Sequence, residues 1–286
     1  MPELPEVEVV KNILLSKILN QKILNVKVFW PKIIKNVSSE KFINDLKNQT
    51  FKNIERKGKH LIFYLNGFVL CSHLRMEGRY LVVDNNFDFE KISNLLILFY
   101  LNNNKILIYR DTRKFGTFFL YPLDKEKSFL ANKPLINVGI DANSLNLKSE
   151  YLSKKFSKKR LPIKTALLDQ SIISGIGNIY ASEILFLARI HPTIPAYQLN
   201  QKELKDIIHF SREVLNHSIA LGGSTVSTFE PAQDIHGRFQ HELFVYRRNG
   251  KNCKICNTTI QKIVQNQRST FFCPKCQALQ NHKNND

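Results

Sequence analysis

The feature that most constrains this chain is a pair of CxxC motifs. Cys253 and Cys256 stand in "CKIC", Cys273 and Cys276 stand in "CPKC", and sixteen residues separate them. Each CxxC forms a tight knuckle that aims two thiolates at one point. Sixteen residues suffice for a hairpin that brings the knuckles together around one tetrahedral Zn2+. Four protein ligands leave no open coordination position, so the expected zinc is structural and not catalytic. A fifth cysteine, Cys71, is alone in an apolar strand and reads as a small core residue. This usage fits a metal site in a reducing compartment better than disulfides. Between the knuckles, "QRSTFF" presents Arg268 near the hairpin end, either as a groove-inserting finger or as a solvated side chain.

The 286 residues allow two domains and a sizeable core, and 43% are hydrophobic. Lys and Arg number 42 against 24 Asp and Glu, a formal net charge of +18. Such a balance points to a polyanion, either nucleic acid or an acidic membrane surface. No segment approaches the ~18 apolar residues of a membrane span. Glu3, Glu6 and Glu8 are wrong for a secretory signal. The expectation is a soluble intracellular protein.

After Pro5, apolar Val7, Val10, Leu14 and Ile18 recur at helical spacing. Pro5 suits a first helical position, and Glu6 and Glu8 would face the positive end of the helix dipole. From about Ile23 to Tyr121 the chain reads as short strands separated by turn signals such as Asn66-Gly67, which suggests a β-sandwich or barrel. The expected layout is an N-terminal domain over 1–130, a polar strandless linker over 131–150, and a helical domain over 151–244. A cysteine module over 245–276 and a polar, disordered tail over 277–286 complete it. Within the helical part, "SGIGNIYASEILF" reads as a turn at Gly175 and Gly177 with Asn178 as helix N-cap, a ready phosphate site.

Taken together and in order, "PELPEVE", "RKGKHLIFYL", "HLRMEG", "DTRKFG", "ISGIGNIYASEILF", "GGSTV", "FQHELFVYRR" and "QRSTFFCPKC" resemble the formamidopyrimidine-DNA glycosylase family. The resemblance covers nearly the whole chain. It implies an α+β multidomain fold: an N-terminal β-sandwich with flanking helices, a helix-two-turns-helix domain, and a C-terminal four-cysteine zinc-finger hairpin. It implies a bifunctional glycosylase and lyase of base-excision repair that acts on oxidised purines in double-stranded DNA. The family is bacterial, so the expected setting is cytoplasmic and nucleoid-associated. A monomer without a protein partner is expected.

The resemblance also assigns residues. Met1 is removed and the secondary amine of Pro2 attacks C1′ of the damaged nucleotide. Glu3 is the acid/base beside it, Glu6 helps to hold the terminus, and Lys59 contacts phosphate near the lesion. Arg268 is counted with Pro2, Glu3 and Lys59 among the residues of the reaction. Met76, Arg113 and Phe115 match a triad that fills the gap left by a flipped base. His73, Asn178 and Arg268 match phosphate contacts, and Thr225 lies near the base pocket. For Glu6, simple helix capping is an equally good reading. The chain departs from the family at Arg247 in "VYRR", where the family usually has Gly, and the 222–239 loop is too variable to assign base contacts. Three alternatives stand beside this reading: the endonuclease VIII branch of the same superfamily, a non-catalytic DNA-binding zinc protein, and an RNA-binding protein.

Overall fold

The structure, a computed structural model, describes residues 1–86, 88–89, 92–225 and 237–279. The chain forms two compact units, one of residues 1–137 and 221–238, the other of 138–220 and 239–286.

The first unit opens with helix α1, Leu4–Ile18, whose periodic apolar face is buried as its spacing predicts. Strand β1 (Ile23–Val28) ends before Phe29 and Trp30, where Pro31 cannot continue a ladder. Helix α2, Ser39–Leu46, interrupts what reads from sequence as continuous β structure. Ser38 caps it, accepting from the Lys41 N–H at 3.1 Å, and Phe42 and Leu46 lie one turn apart on its buried face.

Seven further strands follow: β2 (Asn53–Lys57), β3 (His60–Tyr64), β4 (Phe68–His73), β5 (Arg79–Asp84), β6 (Leu95–Leu101), β7 (Lys105–Arg110) and β8 (Thr117–Pro122). They form two four-stranded antiparallel sheets, ordered β1-β6-β7-β5 and β2-β3-β4-β8. Both contribute to one core, with Ile97, Phe99, Leu107 and Tyr109 from the first and Leu61, Phe63, Leu70 and Phe118 from the second. Tyr80 meets Phe63 and Tyr109 meets Phe118 edge to face, so the sheets are stacked as a sandwich. β6 is apolar on both faces because Leu98 packs into a second cluster with Val83, Ile106 and Ile108. Cys71 is buried in β4, and burial pushes its thiol up to about 12, which suits a core residue and not a nucleophile.

The second unit contains β9 (Ile140–Asp141), α3 (Ser149–Phe156), α4 (Ile163–Leu167), β10 (Ile173–Ser174), α5 (Asn178–Leu187) and α6 (Gln201–Ala220). It also contains the hairpin β11 (Gln261–Gln265) and β12 (Arg268–Phe272). The stretch 131–150 is not strandless, because β9 pairs in parallel with β10, and Leu135, Ala142 and Leu147 are buried. The hairpin packs its Phe271 and Ile260 with Phe186 of α5. Gln277, expected to begin a disordered tail, is fully buried. It accepts from the Cys273 N–H at 3.0 Å and donates to the Ile190 carbonyl at 2.8 Å, and these bonds fasten the end of the cysteine module. Residues 280–286 of the expected tail lie outside the described residues. Among the described residues no helix is long and apolar enough to cross a membrane.

Candidate functional site

Pro2, Glu3 and Glu6 are buried at the start of α1. Glu3 is the N-cap, with an extended backbone, and Pro5 occupies the second helical position, where its missing N–H has no partner to lose. Glu6 accepts from the Glu3 N–H at 2.9 Å with one carboxylate oxygen. Its other oxygen accepts from the Ser224 N–H at 2.8 Å. Glu6 therefore caps the helix and also ties it to the turn Gly222–Ser224. Gly223 sits at φ +81°, and a Cβ there would lie 3.3 Å from the Glu6 side chain. Only glycine allows this approach without strain. Thr225 follows, and its hydroxyl accepts from the Gly237 N–H at 2.8 Å, which closes the base of the intervening loop. The loop expected to close over the flipped base, 222–239, lies outside the described residues for 226–236.

Burial pushes the Met1 amine below its ordinary value of 8.0, with Lys59 acting in the same direction and Glu3, Glu6 and Glu77 opposing. The chain start is thus a desolvated amine in the field of three carboxylates and one ammonium. Lys59 is buried at the turn between β2 and β3. Glu8 lies past the first helical turn and has a different task from the one expected. It accepts from Arg56 Nε at 2.7 Å, and Arg56 also donates to the Gly58 carbonyl at 2.9 Å, which braces the turn that carries Lys59. Burial acts to raise the Glu8 carboxyl, but hydrogen bonds from Lys11 and Arg56 outweigh it and hold the group low.

His73, at the end of β4, is buried with its ring against His60, centroids 4.5 Å apart. Its Nδ1 accepts from the Arg75 N–H at 2.8 Å. Burial first, then the neighbouring His60, Arg75 and Lys59, push its pKa well below 6.5. The ring is neutral at pH 7 and carries its proton on Nε2, so it can donate a hydrogen bond but brings no charge.

Met76 and Phe115 are 37% and 52% exposed, unusual for apolar side chains of this size. The Arg113 guanidinium stacks 4.6 Å from the Phe115 ring centroid. The loop beneath them is shaped by Asp111, which was not singled out in the sequence. Its buried carboxylate accepts from the Arg113 N–H at 3.0 Å and the Gly116 N–H at 2.8 Å. An Asp two residues before the loop apex is a recognisable turn signal.

In the second unit the glycine turn forms as read, with Gly175 at φ +97° and its N–H donating to Gln170 at 2.9 Å. The N-cap of α5 is Gly177, however, and Asn178 is the first helical residue. A cap must hold extended backbone, which Gly177 does at φ −130°. The Asn178 side chain turns instead to β12, where it donates to the Ser269 carbonyl at 3.1 Å. Lys164 of α4, which carries no role in the sequence reading, is fully buried. It donates to the same carbonyl and to the Thr270 hydroxyl, each at 3.0 Å. Two helices thus fix the backbone beside the exposed Arg268, just past the hairpin turn at Asn266 and Gln267. Glu183 of α5, also overlooked, accepts the N–H groups of Phe244, Val245 and Tyr246 at 2.7–3.0 Å, anchoring the entry to the cysteine module. Both signals were present as charged residues within apolar helical runs, "LPIKTALL" and "IYASEILFL". Arg247 occupies φ +57°, a left-handed conformation that explains why glycine suits this position in the family.

Cys253, Cys256, Cys273 and Cys276 place their four sulfurs within 4.8 Å of one another. A tetrahedral Zn–S4 site with bonds of ~2.3 Å requires sulfurs ~3.8 Å apart. The Cys253–Cys276 and Cys256–Cys273 pairs are at 3.9 and 3.4 Å. The N–H groups of Ile255 and Cys276 point at the sulfurs of Cys253 and Cys273, each at 3.4 Å, as thiolates require. The set fits one structural zinc ion.

Three family models match the chain. They are the formamidopyrimidine-DNA glycosylase N-terminal domain over residues 1–118, the H2TH domain of the same family over 138–230, and a zinc finger found in FPG and IleRS over 250–279. A formamidopyrimidine-DNA glycosylase of Oceanobacillus iheyensis is 40% identical over 278 residues, covering 97% of this chain and 98% of that protein. A solved variant of the Lactococcus lactis protein in complex with a Fapy-dG containing DNA superposes with a TM-score of 0.89 at 35% identity. It covers 97% of this chain and 100% of that one. A structure of MutM in complex with carbocyclic 8-oxo-G containing DNA gives 0.86 at 35% identity, with the same coverage. The chain belongs to the formamidopyrimidine-DNA glycosylase family.

Proposed function

We propose that this protein removes oxidised purines, 8-oxoguanine and formamidopyrimidines, from duplex DNA and then cuts the strand, with Pro2 as the nucleophile once Met1 is removed. The observation that carries this reading is Pro2 itself, buried at the start of α1 among the buried Glu3, Glu6 and Lys59, with the Met1 amine just ahead of it pushed below its ordinary pKa. A free α-amine titrates at roughly 7.7–8.0, so on the order of a tenth is neutral near pH 7 before any burial. Burial enlarges the nucleophilic fraction.

In this reaction the Pro2 nitrogen bonds to C1′ and the base leaves with a proton. The bond from C1′ to the ring oxygen breaks, with Glu3 delivering a proton to that oxygen. Loss of the amine proton gives a secondary-amine iminium, which acidifies C2′–H. Removal of that proton expels the 3′ phosphate, and loss of the C4′ proton then expels the 5′ phosphate. Water hydrolyses the remaining iminium and frees Pro2. Glu6 holds the Glu3 N–H and the Ser224 N–H, and Lys59 supplies a positive charge to a phosphate near the lesion.

A base inside the duplex is out of reach, so it must be flipped and its place filled. Met76 and Phe115, exposed and apolar, serve as wedge and plate, and Arg113, stacked on Phe115, bonds the orphaned cytosine. His73, Asn178 and Arg268 contact the phosphate backbone, and the net charge of +18 favours that contact. Thr225 holds the base of the loop near the flipped base. The bacterial relatives support a cytoplasmic setting, and a net charge of +18 on a chain that acts on DNA favours association with the nucleoid. Incubation with a duplex carrying one 8-oxoguanine opposite cytosine is the test. Release of 8-oxoguanine with both phosphates left on the gap ends is expected. Preference for an oxidised pyrimidine would move the protein to the endonuclease VIII branch, and binding without cleavage would make it a non-catalytic reader.

A further inference from the structure

Tyr109, in the middle of β7, is fully buried, and its ring is locked edge to face between Phe118 at 4.8 Å and Tyr80 at 5.0 Å. The neighbouring phenol of Tyr80 donates to the Ser72 hydroxyl at 2.7 Å. The Tyr109 hydroxyl has no hydrogen-bond partner among the described residues. A buried unpaired hydroxyl lowers stability, and phenylalanine would fill the same ring space without that cost. What surrounds the oxygen gives it a purpose.

Two glycines touch it. Gly78 ends the turn that begins at Leu74 and has Met76 at its apex, with the Gly78 N–H donating to the Leu74 carbonyl at 2.9 Å. Gly116 ends the loop that begins at Asp111 and carries Arg113 and Phe115. A Cβ on either glycine would overlap the Tyr109 hydroxyl and lie 2.9 Å from its Cζ. One oxygen is therefore packed against the backbone of two separate loops. They are the same two loops that hold Met76, Arg113 and Phe115.

We propose that the Tyr109 hydroxyl is a rigid spacer that couples the 74–78 turn to the 111–116 loop, so that the three side chains enter the duplex as one body. Tyr109 is a positioning residue, and this inference rests on the gap-filling role proposed above. The oxygen reaches deepest toward both glycines, so a phenyl ring, one atom shorter, loosens the contact and lets the loops shift more independently. Close packing transmits a displacement, and a gap of one atom absorbs it.

The chain holds a single tryptophan, Trp30, with the Lys114 ammonium 4.2 Å from its ring centroid. Its emission therefore reports on the 111–116 loop without any DNA. Gly78→Ala disturbs the other loop, and because the added Cβ also meets the Leu74 carbonyl at 2.6 Å, it does so whether residue 109 is Tyr or Phe. The expected result is a shift of Trp30 emission on Gly78→Ala with Tyr109 present and a several-fold smaller one in the Tyr109→Phe background. If Gly78→Ala fails to fold, Met76→Gly on the exposed apex replaces it. Tyr109→Phe alone should keep or raise the thermal midpoint, yet slow 8-oxoguanine release from duplex by about tenfold, as expected for misplaced groups. Cleavage of a preformed abasic site should fall by less. A merely structural tyrosine would instead lower the midpoint and slow both reactions equally. Equal Trp30 shifts in both backgrounds would overturn the spacer. Coupling at Trp30 with unchanged excision would support the spacer and count against the gap-filling role.

Discussion

Glu6 and Ser224 are 218 positions apart in sequence and joined by a 2.8 Å hydrogen bond, while the second oxygen of the same carboxylate holds the Glu3 N–H at 2.9 Å. The carboxylate is acceptor-only, and these two donors are buried backbone N–H groups. Helix capping and the tie between the start of α1 and the Gly222–Ser224 turn are here one interaction. Glu6→Gln places an amide N–H against one of those donors. We expect a loss of about 2 kcal/mol by urea unfolding, from the range for hydrogen bonds to charged groups and an unpaired donor. Excision and abasic-site cleavage should fall together, because both need Glu3 and Pro2 in place. Unchanged stability would mean that Ser224 is held by other contacts.

His73 gives the protein a pH dependence of known sign. Its folded pKa lies well below the 6.5 of an unfolded histidine, chiefly through burial. Below pH 6.5 the unfolded chain takes up a proton that the folded His73 refuses, so stability falls as pH falls. The full contribution is present above pH ~6.5 and declines at up to about 1.4 kcal/mol per pH unit below it. His191, also lowered by burial, adds to the slope. Denaturant titrations of the parent and His73→Gln at pH 7 and pH 5.5 should show a smaller pH difference in the variant. An equal difference would assign the slope to other groups.

Zinc removal should reach beyond the hairpin. Ser269 and Thr270 of β12 accept from the buried Lys164 ammonium, and Phe271 covers Phe186 of α5. Losing β12 strips the buried ammonium of these two acceptors, a severe penalty. Chelation, or Cys256→Ser, should abolish tight binding to lesion DNA and lower the melting temperature of the second unit. Retained affinity with no metal by elemental analysis would contradict this.

Arg247 offers the opposite sign. Its φ of +57° strains any residue with a Cβ. Arg247→Gly should stabilise the protein by about 1 kcal/mol, and Arg247→Ala should not. Stabilisation by both would point to relief of charge repulsion.

The sequence revealed what is written locally. The cysteine spacing announces its knuckles, the Val7–Ile18 periodicity announces α1, and a polar turn around Met76 announces an exposed apolar side chain. The α2 helix was missed because its amphipathic pattern spans only eight residues, about two turns, inside a long run that otherwise reads as strands. Lys164, Glu183, Asp111 and Gln277 were illegible for a different reason. Each owes its role to hydrogen-bond partners supplied by tertiary structure, and a lysine or glutamine in isolation looks solvated. Asn178 was seen but misplaced by one position, because Gly177 takes the extended cap conformation itself.

The central claim is that the reaction runs through the secondary amine of Pro2, and trapping tests it most directly. Borohydride added during turnover on 8-oxoguanine duplex reduces an iminium to a stable amine and leaves protein and DNA joined. The account predicts a covalent complex whose link maps by mass spectrometry to Pro2 in the N-terminal peptide. It also predicts that a chain forced to retain Met1 gives none while keeping its zinc. A link that maps to Lys59, or normal cleavage by the chain with Met1 retained, would contradict it.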